Sequence, residues 1–149
     1  MHKLVVKIKY LDDSIKGKLR YATDMSVGLD LRASIKNKIE IMPRERVLIG
    51  TGIAIEIVNP FVAGFVFSRS GLGIKEGLVV TQGVGVIDPD YRGEIKVSLL
   101  NIGKRPKIIS PGDRIAQLVF MPAFQAKLIE VNSLSPTRRG EGGFGHTGK

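Results

Sequence analysis

Arg69, Ser70 and Gly71 stand together in FSRSGLG, Phe67 to Gly73, and carry what a phosphate group needs. Arginine offers a planar fork of N–H donors, serine a hydroxyl, and the amides that open a short helix form an anion nest. The same residues also make an ordinary strand-to-helix junction capped by Ser70. A second stretch, GVGVIDPDYRGE from Gly83 to Glu94, sets Asp88 and Asp90 on either side of Pro89, followed by Tyr91, Arg92 and Gly93. Its glycines let backbone approach a ligand closely, and an Asp ending a buried run, VGVI, would reach a substrate while partly shielded. As turn chemistry alone, the stretch is a Pro-Asp hairpin with solvated carboxylates. The third stretch is PGDRIAQL, Pro111 to Leu118, where a turn leads into the apolar strand IAQLVFMP and Gln117 interrupts it. Alternation puts Ile115, Gln117 and Val119 on one face, so Gln117 is either solvated or aimed at a ligand.

A fourth candidate is RRGEGGFGHTGK, Arg138 to Lys149. It fits G-x-G-x-x-G and the start of G-x-x-x-x-G-K, but neither match has the strand before it or the helix after it that those phosphate loops require. What remains is a basic, glycine-rich arm with one aromatic, Phe144, expected to be flexible until something orders it.

Composition narrows the chemistry. With no cysteine, and with His2 and His146 as the only histidines in 149 residues, thiolate zinc sites, disulfides and imidazole clusters are excluded. A carboxylate is left as the base for any hydrolysis. The formal charge of +9 favours an anionic partner. The lysines are scattered, however, with no Trp and three Tyr to interleave, which argues for a solvated basic face and against stable nucleic-acid binding. No uncharged run exceeds the 12 residues of Ile57–Ser68, too short to span a membrane, and MHKLVVKIKY does not read as a signal peptide. The expectation is a soluble, cytoplasmic protein.

The elements that must position these residues are strands. LVVKIKY, KIEIM, IAIEI, GFVF, EIKVSLL and KLIEV all alternate with period two, and turn signals at Pro43–Arg44, Asn59–Pro60, Pro89–Asp90, Gly103 and Ser110–Asp113 separate them. Short strands at this spacing predict an all-β barrel or sandwich. One short internal helix is expected over Ser70–Glu76, broken by Gly71 and Gly73. Residues 1–137 then form one β-barrel domain and 138–149 the flexible arm.

Taken in order, SVGLDLRA (Ser26 to Ala33), RSGLG, GVIDPDYRGE, GDRIAQL and RGEGGFGHTGK resemble the five motifs of the homotrimeric dUTPase family, closest to its bacterial members. The resemblance runs from about Ser26 onward. It implies a β-barrel or jelly-roll (β-clip) subunit, a homotrimer with active sites shared at subunit interfaces, and Mg2+-dependent hydrolysis of dUTP to dUMP and pyrophosphate. That reaction supplies dUMP for dTMP synthesis and keeps uracil out of DNA. Asp88 matches the general base of water attack at the α-phosphorus. A carboxylate is a weak base, so cationic groups and the metal must stabilise charge on the phosphoryl oxygens. Mg2+ is then held mainly by triphosphate and water.

The resemblance assigns the remaining positions. The hairpin from Gln82 through Gly83 and Val84 to Lys96 receives uracil, whose O2, N3–H and O4 pattern suits extended backbone; cytosine reverses part of it and leaves buried groups unpaired. Gln82 stands where bacterial relatives often have Asn. Tyr91 matches the ring that packs on deoxyribose and excludes a 2′-hydroxyl. Arg69, Ser70, Gly71 and Gln117 match phosphate contacts. Asp30 matches a carboxylate that organises the metal's water shell or neighbouring side chains. In the arm, Arg139 would meet phosphate, Phe144 would stack on uracil, and the amides of Gly145, His146, Thr147 and Gly148 would line the γ-end; His146 replaces a common Ser. A dCTP deaminase of the same fold is the nearest rival, disfavoured by this tail and by Asp88 where deaminases use Glu. A non-enzymatic basic or regulatory protein reusing the fold is the other.

Overall fold

The structure, a computed structural model, describes residues 4–143. Eleven strands carry the fold: β1 (Val6–Tyr10), β2 (Gly28–Arg32), β3 (Ile39–Ile41), β4 (Arg46–Gly50), β5 (Ile53–Ile57), β6 (Val62–Phe67), β7 (Leu78–Val80), β8 (Val84–Ile87), β9 (Lys96–Asn101), β10 (Lys107–Ile109) and β11 (Arg114–Pro122). They pair antiparallel into four small sheets, ordered β1-β5, β10-β3, β2-β11-β6-β8 and β4-β9-β7. Their inward faces share one core, so the chain is all-β, as the alternation predicts, and jelly-roll-like, as the family resemblance implies.

Alternation works where one face is wet. In β9, Val97, Leu99 and Asn101 point into the core while Lys96, Ser98 and Leu100 face outward. Leu31, Ile41, Ile49, Ile95, Leu99 and Leu118 are fully buried. Each such aliphatic side chain contributes about 1.5–3 kcal/mol.

Asn101 is the polar exception, buried at the end of β9. Its Nδ2 donates to the carbonyls of Ile41 (2.9 Å) and Arg105 (2.8 Å), and its Oδ1 accepts from the Gly103 amide (2.9 Å). One side chain thereby ties β3 to the turn that leads into β10. Near β1, Asp12 caps a 3-10 turn (Asp13–Ile15) by accepting from the Ser14 amide at 2.8 Å, and also accepts from the Ser34 hydroxyl.

The short internal helix expected over Ser70–Glu76 is there, as a six-residue π turn, Gly71–Glu76, entered from Ser70. Two expectations need correction. Ser70 does not cap that helix: its backbone is already helical (φ −54°, ψ −43°) and its side chain makes no cap bond. KLIEV, Lys127–Val131, is not a strand in this chain. It lies in a long exposed stretch after β11, with Leu128 90% exposed, and pairs with no strand of this chain among the described residues.

Candidate functional site

The predicted residues gather at two separate places on the central sheet. The first is a cleft of about 380 Å3 between β8 and β9, lined by Gln82, Gly85, Asp88, Tyr91, Glu94 and Lys96 among others. β8 pairs with β6 on one side only, because β9 belongs to the other sheet. Half of the β8 backbone groups are thereby left facing the cleft, and an unpaired edge is a ready template for a planar donor–acceptor ligand. The chain enters β8 through a tight turn in which Gly83 takes φ 78° and donates to the Val80 carbonyl.

At the far end of β8 the Tyr91 amide closes a turn on the Asp88 carbonyl (3.1 Å), and the Tyr91 hydroxyl donates to the Glu94 carbonyl (3.0 Å). The Tyr91 ring therefore lies across Gly93, where a Cβ would stand 2.6 Å from Cζ. Only glycine allows that approach. The VGVI run is not buried as expected: Val84 and Val86 are 40% and 58% exposed, and Asp88 is open to solvent. An edge strand with nothing packed on its outer face leaves alternate side chains uncovered. Among the described residues the Asp88 carboxylate takes no hydrogen-bond or ion-pair partner.

Glu94 is a site residue that sequence reasoning passed over. Its Oε1 accepts from the Gly52 amide (2.9 Å) and its Oε2 lies 4.0 Å from Lys96 Nζ, pinning the floor of the cleft to the β4–β5 turn. Its place in DYRGE was the available signal.

The second place is built on β2, β11 and the end of β6. Gln117 sits between Asp30 on β2 and Phe67 on β6 in the strand register. Its Nε2 donates to the Ser68 carbonyl (3.1 Å), and its Oε1 occupies space that only Gly28 leaves free, since a Cβ there would lie 2.7 Å away. Asp30 accepts from Arg69 Nε at 2.8 Å and from Arg114 Nη1 at 3.1 Å. Ser70 and Gly71 follow, both exposed.

Arg114 was missed because strict alternation turns it inward with Ala116 and Leu118. The register instead shifts between Arg114 and Ala116, a β-bulge at Ile115. Ile115 and Ala116 both enter the core, contrary to the expected sharing of a face by Ile115 and Gln117, and Arg114 swings to the side of Gln117 and Asp30.

These two places do not meet within one chain. Ile87 pairs with Gly64, whereas Arg69 lies five residues further along, about 16 Å at strand rise, and Asp88 steps away in the other direction. Arg139 stays with neither: it is exposed, its Nε donating to the Gly142 carbonyl at 2.8 Å. The expected contacts of Phe144, Gly145, His146, Thr147 and Gly148 fall outside the described residues.

Mg2+ finds no protein cage here. Among the described residues no three His, Cys, Asp or Glu side chains cluster, and each oxygen of Asp30 accepts from one guanidinium. The donor set fits a metal only if other ligands supply its oxygens.

Comparison with known proteins shows the family. A model of the dUTPase family matches residues 17–148. Proteins called deoxyuridine 5'-triphosphate nucleotidohydrolase are similar along almost the whole chain. The one from Legionella pneumophila is 47% identical, covering 100% of this chain and 99% of its own. That from Haemophilus influenzae is 49% identical, covering 97% of each. Among solved structures, a Staphylococcus bacteriophage 80alpha dUTPase mutant with dUpNHpp superposes with a TM-score of 0.87 at 24% identity, covering 97% of this chain and 99% of that one, which speaks for the fold. A dUTPase mutant from phage phi11 of S. aureus, described with a structural Mg(II) ion, gives 0.77 at 21% identity, covering 89% and 99%. With its motifs in order, its jelly-roll fold and relatives near half identity over nearly full length, the chain belongs to the dUTPase family.

Proposed function

We propose that the chain hydrolyses dUTP to dUMP and pyrophosphate at sites assembled between copies of itself in a homotrimer. The observation that carries the reading is the β8–β9 cleft, where an unpaired strand edge ends in Asp88 and Tyr91. Uracil takes the edge: its N3–H donates to a backbone carbonyl, and O2 and O4 accept from amides, a pattern cytosine cannot satisfy. Tyr91, held by its hydroxyl bond to Glu94, packs on the deoxyribose and leaves no room for a 2′-hydroxyl.

The nucleobase so placed brings the α-phosphorus near Asp88. The Asp88 carboxylate accepts a proton from water as its oxygen bonds to the α-phosphorus, and the bond from that phosphorus to the bridging oxygen breaks, releasing pyrophosphate. Arg69, Ser70 and Gln117 stabilise the charge that grows on the phosphoryl oxygens. A magnesium ion carried by the triphosphate supplies further charge neutralisation when bound.

Reacting groups must converge to about 3–3.5 Å, so the half-site of Arg69 and Gln117 comes from a neighbouring copy. The subunit's surface supports association. It exposes 11156 Å2, against about 7,500 Å2 for a compact chain of its 16.2 kDa. Phe124, Leu128 and Leu134 are all more than 80% exposed.

A substrate panel tests the reading. With Mg2+ present, pyrophosphate is expected from dUTP and not from dCTP, dTTP or UTP. Ammonia from dCTP would support the deaminase reading, and salt-sensitive nucleic-acid binding without turnover the non-enzymatic one.

A further inference from the structure

Asp30 is expected to organise either a metal's water shell or its neighbouring side chains, and its surroundings favour the second. It is only 20% exposed, and each carboxylate oxygen already accepts from a guanidinium. Arg69 is held twice, by Nε to Asp30 and by Nη1 to the Arg114 carbonyl at 3.2 Å. Among the described residues its Nη2 takes no partner. Two fixed edges of a planar guanidinium determine where the third points.

Backbone topology builds this arrangement deliberately. Asp30 lies opposite Gln117 across β2 and β11, and Phe67 lies opposite Gln117 on the other side, so Asp30 and Arg69 share the face of Gln117. The bulge at Ile115 brings Arg114 to that face as well and presents its carbonyl to Arg69. Two cations against one anion leave the group with a net positive charge.

We propose that Asp30 is a positioning residue that presets Arg69, with Arg114 as the second arm of the clamp, and that it acts on phosphate through Arg69 and not through magnesium. The inference rests on the phosphate role proposed for Arg69. Preorganisation places the free N–H groups before the substrate arrives, so none of the binding energy is spent ordering a long side chain.

The two roles differ in sign on a simple anion. Removing a carboxylate from a passive surface strengthens binding of pyrophosphate without metal, whereas removing the clamp weakens it. For Asp30→Asn we expect pyrophosphate affinity in EDTA to fall about tenfold. We expect kcat/KM for dUTP to fall about 10- to 100-fold, with the Mg2+ concentration for half-maximal activity unchanged. Adding Asp30→Asn to Arg69→Ala should cost nothing beyond Arg69→Ala alone. Unchanged or tighter pyrophosphate binding, a raised Mg2+ requirement, or additive losses would each overturn the proposal. Should Asp30→Asn not fold, Arg114→Gln provides the same comparison, with a weaker loss and the same non-additivity with Arg69→Ala. If the wild type bound pyrophosphate but did not turn over dUTP, the functional reading would fail while the clamp stayed testable by binding alone.

Discussion

Mixing two inactive variants tests whether each site draws on two copies. Asp88→Asn removes the base and should cost at least about 100-fold; Arg69→Ala removes a charged phosphate contact and should cost a similar factor. Each homotrimer is then nearly silent. Because about 16 Å of strand and a divergent turn separate the two groups in one chain, neither variant can repair its own site. When the two are unfolded together in equal amounts and refolded, a site works only if Asp88 comes from an Arg69→Ala copy and Arg69 from an Asp88→Asn copy. Random assembly in a cyclic trimer gives that combination at about one quarter of the sites. Steady-state pyrophosphate release should therefore recover to about 25% of wild type, many times the sum of the parents. Native mass spectrometry of the mixture, with one variant carrying a mass tag, would verify that hetero-trimers formed. Mixed trimers with no recovered turnover would refute the shared-site geometry.

Three further outcomes follow from single contacts. Gly93→Ala forces the Tyr91 ring off its seat, so discrimination of dUTP over UTP by kcat/KM should fall by about tenfold, with thermal stability nearly unchanged. Asn101→Ala strips the partners from two carbonyls and one amide in a buried corner, and denaturant unfolding should show a loss of about 3 kcal/mol; a loss below about 1 kcal/mol would show that water replaces the side chain. The Ser34 hydroxyl, and after it the Ser14 amide, hold the Asp12 carboxyl below its ordinary pKa. A depressed carboxylate contributes stability in full above its unfolded-state value, and that contribution drains away as pH falls from there through the folded value. The Tm difference between wild type and Asp12→Asn should thus be constant near neutrality and shrink below about pH 4; a constant difference down to pH 2 would contradict it.

The sequence disclosed most where one physical constraint acted alone. IAIEI became β5 with its predicted ends, and Pro43–Arg44 and Ser110–Asp113 became turns, with Arg44 at φ 67° and Gly112 at φ 81°. β7 (LVV) and β10 (KII) carry adjacent apolar residues and no apolar–polar alternation, unlike the equally short IEI of β3. KLIEV shows the opposite failure: its period is genuine, but a strand also needs an edge to pair with, and that requirement lies outside the segment. In the site, Asp88, Arg69 and Gln117 stand out by residue type in a strand pattern and Tyr91 by motif order; the structure sets Asp88 with Tyr91 at one cleft and Arg69 with Gln117 on one face of the sheet. Arg114 was not legible, since a single inserted residue at Ile115 reverses the face of everything before it. The separation of these residues into two places is not written in the residues themselves; it enters the sequence reading only through the family resemblance, which implies sites shared between copies.

The central claim is that water held at Asp88 attacks the α-phosphorus of dUTP. Turnover in 18O-enriched water, run beside Asp88→Asn at the same nucleotide occupancy, tests it most directly. One labelled oxygen should appear in dUMP and none in pyrophosphate, and the variant should bind dUTP yet form labelled dUMP at least about 100-fold more slowly. Label in pyrophosphate, or wild-type rates from Asp88→Asn, would contradict the account.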